Sequence, residues 1–265
     1  LGQLPYRLSL RIGEWLGLAI GRTSRRRRHI ARRNLALCFP EVDAATRERW
    51  LTDNFRETGR GLAEAALAWY APERNLRGLR VYVIGCGHLE QASASGRPLI
   101  ALSAHFLCVE IAARLLPADI PITAIYKPTR RRPLLHRAML QARLRNVGRA
   151  LSRDDVRGML KALKRREMLW YAGDQDYGGS SSVFVPFFGQ PACTLTALTR
   201  LTTLSGAAVI PMFFHRQAPG HYVIRFEPML DGFPGASPEA DAARTNRIVE
   251  QAIRRHPGQY LWIHR

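Results

Sequence analysis

The stretch LSAHFLCVE, residues 102–110, sets one histidine and one carboxylate into an otherwise apolar run: His105 and, five positions later, Glu110. An imidazole that gives one ring nitrogen to a carboxylate has its tautomer fixed and its charged form stabilised, and keeps the other nitrogen free to take a proton. Such a pair makes a general base for an alcohol, an acceptor too weakly nucleophilic to attack unaided, and contributes typically about 10²–10⁴-fold. On a regular helix five residues turn about 500°, which leaves the two side chains roughly 140° apart. They meet only if His105 lies in the turn before the helix and folds back toward Glu110. The same residues also fit a blander account, a satisfied histidine beside a strand and an ordinary helix carboxylate. Metal binding is disfavoured: there is no HExxH and no third ligand at a suitable spacing.

A second run, WYAGDQDYGGSSSVFVPFFG (170–189), ends an apolar strand in Asp174, Gln175 and Asp176, then passes through a Gly-Gly-Ser loop into an aromatic strand. The two aspartates either shape a site or cap turn amides. Phe184, Phe187 and Phe188 either line an apolar slot or belong to the core.

These residues need a scaffold, and the patterning supplies one. LRVYVIG (79–85), RPLIALSA (97–104), PITAIY (121–126), EMLWYAGD (167–174), AAVIPMFF (207–214) and HYVIRFEP (221–228) read as strands. RPLIALSA is apolar on both faces, as a central strand is. Helices are expected between them, over roughly 133–145, 154–166, 194–205 and 239–256, the third closing at Gly206. Strand and helix alternate, which predicts one α/β domain over 36–265. His105 then falls where a strand ends, and ligand crevices in open α/β sheets lie beyond the carboxyl ends of strands.

Residues 1–35 read as a separate amphipathic, basic segment. Leu8, Ile12, Trp15, Leu16 and Ile20 recur at near-helical spacing, and seven arginines follow between Arg22 and Arg33. Apolar residues followed by a basic cluster suit a helix at the interface of an anionic membrane leaflet. No window of about 18 apolar residues is present, so no membrane-crossing helix is expected. The whole chain of 265 residues has 40 Lys+Arg against 21 Asp+Glu, a formal charge of +19. That field favours nucleic acid, anionic lipid, a phosphorylated substrate or an acidic protein. Nucleic acid is disfavoured, since no helix-turn-helix, RRM-type aromatic signature or zinc finger is found. The four cysteines are scattered, with no CxxC pair, which argues against a zinc site or a disulfide framework.

Six ordered blocks carry a resemblance: RRNLALCFPE (32–41), SAHFLCVE (103–110), YKPTRRRPLLHR (126–137), LSRDDVRGMLKALKR (151–165), DQDYGGSSSVFVPFFG (174–189) and HPGQYLWIHR (256–265). In these the sequence resembles the lipid A biosynthesis late acyltransferases, the lauroyl and myristoyl transferase family of Gram-negative bacteria. The resemblance implies a glycerol-phosphate-acyltransferase-like fold, a mixed sheet flanked by helices, and an H-x4-D/E dyad, here His105 and Glu110. It implies acyl carrier protein as donor, the hydroxyl of a 3-hydroxyacyl chain on a Kdo-bearing lipid A precursor as acceptor, and no cofactor or metal. It places the reaction at the cytoplasmic face of the inner membrane, among its lipids, usually behind an N-terminal hydrophobic anchor that is only partly present here. Arg153 becomes the expected substrate-binding residue near the dyad, with Asp174, Gln175 and Asp176 holding it or shaping the pocket floor; a helix-start ion pair with Asp154 or Asp155 is the other account of Arg153. Lys127, Arg130, Arg131 and Arg132 either meet the acidic carrier protein or face solvent. Phe184, Phe187 and Phe188 are candidates for the acyl slot, with the core as the commoner place for such aromatics. A related membrane acyltransferase with another glycolipid acceptor, or with acyl-CoA as donor, would show the same dyad.

Overall fold

The computed structural model describes residues 1–117, 120–128, 133–175 and 181–264. Three helices open the chain, α1 (Tyr6–Thr23), α2 (Arg25–Cys38) and α3 (Ala44–Tyr70), followed by the short α4 (Glu73–Leu76). Strands and helices then alternate: β1 (Arg80–Ile84), α5 (Cys86–Ala94), β2 (Leu99–Ser103), α6 (Val109–Leu115), β3 (Ile122–Tyr126), α7 (Pro133–Val147), β4 (Arg149–Ser152), α8 (Val156–Lys164) and β5 (Met168–Ala172). The ribbon β6 (Ser182–Phe187) and β7 (Gln190–Leu195) precedes α9 (Ala197–Ser205), β8 (Ala208–Ala218), β9 (His221–Phe226) and α10 (Pro238–Arg255).

Seven strands make one sheet in the order β1-β9-β8-β2-β5-β3-β4, with every neighbour parallel except β8 and β9. The sheet is mixed and flanked by helices, and β6 pairs with β7 outside it. Its middle explains the continuous apolar run: all five residues of β2 are buried. Strand alternation sends Leu99 and Ala101 into a core shared with α1, α3 and α6. Ile100 and Leu102 go to the opposite core, against α8 and α9. Some elements escaped the sequence pattern. The four-residue β4 is too short to show a period, α5 has no apolar stripe, and β7 takes Thr194, where a helix was expected to open. Helix α9 begins instead at Ala197 and closes on Gly206, whose φ of 67° suits a glycine.

The N-terminal segment does not stand apart. Its expected boundary at residue 35 falls inside α2, and α1 lies along α3. The buried side of α1 is Tyr6, Ser9, Leu10, Gly13, Gly17 and Gly21, not the expected apolar stripe. Leu8, Trp15, Leu16 and Ile20 are exposed, Trp15 by 72%. Glycine decides this, because without side chains the two helix backbones come into direct contact: a β-carbon on Gly13 would lie 2.5 Å from the Gly59 carbonyl oxygen. A buried ionic group then ties α3 to the sheet. The Arg216 guanidinium of β8 is paired with both Glu64 oxygens at 2.7 Å and also with Glu57, and Tyr6 of α1 shares a 2.7 Å hydroxyl bond with Tyr222. Among the described residues no helix is long and apolar enough to cross a membrane.

Gly59→Ala should therefore cost on the order of 1–3 kcal/mol through forced separation of α1 and α3. Leu16→Ala, on the outward face of the same helix, should stay within about 0.5 kcal/mol. Denaturant midpoints at constant m-value would measure both.

Candidate active site

Strands β2 and β5 run parallel side by side, with Ser103 opposite Ala172. His105 and Asp174 each follow two residues beyond that pair, so adjacent strands deliver both to one place at the carboxyl edge of the sheet. His105 Nδ1 lies 2.6 Å from Asp174 Oδ1, and the His105 amide donates to Oδ2 at 2.9 Å. The Tyr260 hydroxyl donates to the same Oδ2 at 2.9 Å. An ionised carboxylate only accepts, so Nδ1 carries the hydrogen and Nε2 is the nitrogen left to take a proton. The Asp174 side chain is 2% exposed and the His105 side chain 31%.

The charges agree with that wiring. Burial pulls the His105 imidazolium down, but the Asp174 carboxylate outweighs it and the net direction is above the ordinary 6.5. Burial pushes Asp174 up, yet the imidazolium and the donors on its oxygens hold it below the ordinary 3.8.

Glu110 is not the partner of His105. It sits in the first turn of α6, where its Oε1 receives the Arg143 guanidinium of α7 and its Oε2 receives Trp69 Nε1 of α3 at 2.9 Å. No hydrogen bond joins Glu110 to His105 among the described residues. The angular separation that the spacing imposes is kept: the imidazole turns across the sheet to β5 rather than back to α6. H-x4-E therefore brings both residues to one cleft without pairing them.

That cleft, about 580 Å³, is lined by His105 and Glu110 together with an apolar wall of Val109, Ala113, Ala124, Met139, Val147 and Trp170. Lys127, Arg143, Arg153 and Arg200 also line it. Arg153 lines the cleft with its guanidinium 3.6 Å from Asp154, the ion pair that the sequence offered as its other account, while Asp155 caps α8 through the Gly158 amide. Asp174 backs the imidazole rather than holding Arg153, and Gln175 does not line the cleft. Asp176 and Arg130, Arg131 and Arg132 lie outside the described residues. The expected acyl slot is a correction. Alternation along β6 turns Val185 inward and leaves Phe184 76% exposed. Phe187 and Phe188 pack in the core beside Phe39 and Trp262, and none of the three lines the cleft.

Sequence reasoning passed over Arg143, Trp69 and Tyr260 as site residues. Tyr260 alone had a signal, its place in the terminal HPGQYLWIHR block. Among the described residues no three His, Cys, Asp or Glu side chains converge as a metal site.

The architecture defines a class: a helix-flanked mixed α/β sheet that presents a carboxylate-backed histidine to a part-apolar, part-cationic cleft. The comparisons then place the chain. Residues 1–265 match the family model described as bacterial lipid A biosynthesis acyltransferase. The chain is 39% identical over 267 residues to the lipid A biosynthesis lauroyltransferase of Escherichia coli (strain K12), covering 99% of this chain and 86% of that one. It is 36% identical over 265 residues to the palmitoleoyltransferase of the same organism, covering 99% and 86%, and 31% identical over 256 residues to its myristoyltransferase, covering 96% and 77%. A solved 1-acyl-sn-glycerophosphate (LPA) acyltransferase from Thermotoga maritima superposes with a TM-score of 0.45 at 13% identity, over 84% of this chain and 97% of that one, a similarity too weak to carry an argument. The chain belongs to the bacterial lipid A biosynthesis acyltransferase family and is an acyltransferase.

Asp174→Asn should lower acyl transfer by about 10²–10⁴-fold with an unchanged circular dichroism spectrum, because the amide no longer fixes the tautomer. Glu110→Gln and Arg143→Ala should each reduce transfer, and the double variant should lose little more than either alone, as partners in one contact do. The wild-type pH profile follows from the sign of the His105 shift. A base is lost when it is protonated, so kcat/KM should fall as pH drops through a His105 pKa above 6.5. A profile flat through that range would remove His105 as the base.

Proposed function

We propose that this acyltransferase moves a fatty acyl chain from acyl carrier protein to the hydroxyl of a 3-hydroxyacyl chain on a Kdo-bearing lipid A precursor. The observation that carries the chemistry is the 2.6 Å bond from His105 Nδ1 to the buried Asp174, which leaves Nε2 to the cleft. The substrate class follows from the names of the relatives.

In this reading Nε2 takes the hydroxyl proton as the acceptor oxygen attacks the thioester carbonyl. The tetrahedral intermediate collapses with loss of the carbon–sulfur bond, and the imidazolium returns the proton to the departing thiolate. An ester and a free thiol result, with no covalent acyl-enzyme and no need for a cofactor or metal. Asp174 stabilises the imidazolium; Arg143, held by Glu110, offers positive charge to the developing oxyanion. The acyl chain lies along the Trp170, Val147 and Met139 wall, which replaces the phenylalanine slot. Arg153, Lys127 and Arg200 bind the phosphates and carboxylates of the precursor, for which guanidinium groups are suited.

In the same reading the exposed Leu8, Trp15, Leu16 and Ile20 of α1, beside the arginines of α2, face anionic lipid, and the enzyme works at the cytoplasmic face of the inner membrane. The outward side of α1 and α2 then serves docking, while their inward side packs into the glycerol-phosphate-acyltransferase-like catalytic fold.

The test is transfer of a labelled acyl chain in detergent, from acyl carrier protein to a Kdo-bearing lipid A precursor, with wild type beside His105→Ala. We expect product from wild type and near-total loss in the folded variant. Product only from acyl-CoA, or only on another glycolipid, would move the substrate and keep the chemistry. Full activity in His105→Ala would overturn the mechanism.

A further inference from the structure

The terminal HPGQYLWIHR block is not used by the chemistry above, yet it runs beside the dyad. Leu107, two residues after His105, donates its amide to Gln259 O at 2.9 Å, and Phe106 forms a β-bridge with Tyr260. Asn54 of α3 grips the same strap, donating to Gly258 O at 2.9 Å and to Tyr260 O at 2.6 Å. Further on, Asn34 of α2 donates to the carbonyls of Trp262 and His264, each at 2.9 Å. The backbone on both sides of Tyr260 is thus tied to elements outside the sheet. The Tyr260 ring packs against Phe106 and Trp262, and the residue is 7% exposed. Packing alone would be served as well by phenylalanine. The hydroxyl instead meets Asp174 Oδ2, leaving Oδ1 to His105.

We infer that Tyr260 is a positioning residue for the base: its hydroxyl fixes the plane of the Asp174 carboxylate and draws charge from it, which sets the orientation and proton affinity of His105. The inference rests on the reading of His105 and Asp174 as the general base and its support. Burial and the Asp174 charge push the phenol well above its ordinary 10, so it remains a donor wherever the enzyme works. The other groups bearing on this trio are Arg143 of α7, paired with Glu110, and Cys38 of α2, whose thiol burial pushes up to about 12 and keeps neutral.

Tyr260→Phe removes one oxygen and keeps the ring. It should lower kcat about tenfold, the loss of roughly one hydrogen bond to a charged group, and leave KM for donor and acceptor unchanged. The acidic limb of kcat/KM should move to higher pH, because Asp174 without this donor holds the imidazolium proton more strongly. Replacement of Tyr260 by 3,5-difluorotyrosine, a stronger donor of the same shape, should move the limb the other way. Limbs that stay at the wild-type position in both proteins overturn the inference. So does a Tyr260→Phe that merely melts early while the fluorinated protein behaves as wild type. Asp174→Asn, assayed alongside, separates the two levels. Wild-type rates there would remove Asp174 as the support of the base, whereas an inactive Asp174→Asn beside an unaltered Tyr260→Phe would remove only the role of Tyr260.

Discussion

An anion taken out of water is costly unless protein donors replace its hydration. Asp174 meets that requirement with the ring and amide of His105 and with the hydroxyl of Tyr260. The donors come from two distant parts of the chain, the end of β2 and the C-terminal strap, and the carboxylate itself stands at the end of β5. Satisfying one buried charge thus requires that β2 and β5 be neighbours and that the strap close over them. The same three contacts leave a single imidazole nitrogen available to substrate.

Two acidic residues near the cleft divide the electrostatic work. Asp174 raises the proton affinity of His105 against the opposing effect of burial. Glu110 engages a different cation, Arg143, and is itself steadied by the Trp69 indole. In the proposed mechanism the base draws on a neighbouring negative charge and the oxyanion on a positive one. The carboxylate at the end of β5 supports the imidazole, and the one on α6 holds the Arg143 guanidinium in place at the same cleft.

The cleft is also where the helical layer and the sheet meet. Helix α3 contributes Trp69 to the site and Asn54 to the strap, and the Arg216 cluster fixes it to β8. Helix α1 is seated on α3 by glycine contacts, which turn Trp15 and its apolar neighbours outward. The surface proposed to face lipid is in this way rigidly joined to the element that holds the catalytic end together.

Much of this was legible in the residues. Apolar runs such as LIALS mark buried strands because a central strand must be apolar on both faces, and alternation with helices marks a layered α/β sheet. His105 at a strand end was correctly a cleft residue for the same reason. Its partner was not legible, because the spacing between His105 and Glu110 describes one segment, whereas the contact that forms joins two strands whose adjacency is set by sheet order. Phe184, Phe187 and Phe188 misled for a related reason: hydrophobicity says that a side chain avoids water, but not which core or cleft receives it. Composition and local period determined most of the strands and helices, the basic character and the strand-end histidine. Tertiary structure decided that Asp174 and Tyr260 hold that histidine and that the glycines of α1 face inward, since long-range contacts are selected by packing and by the cost of a buried charge, which no local pattern records.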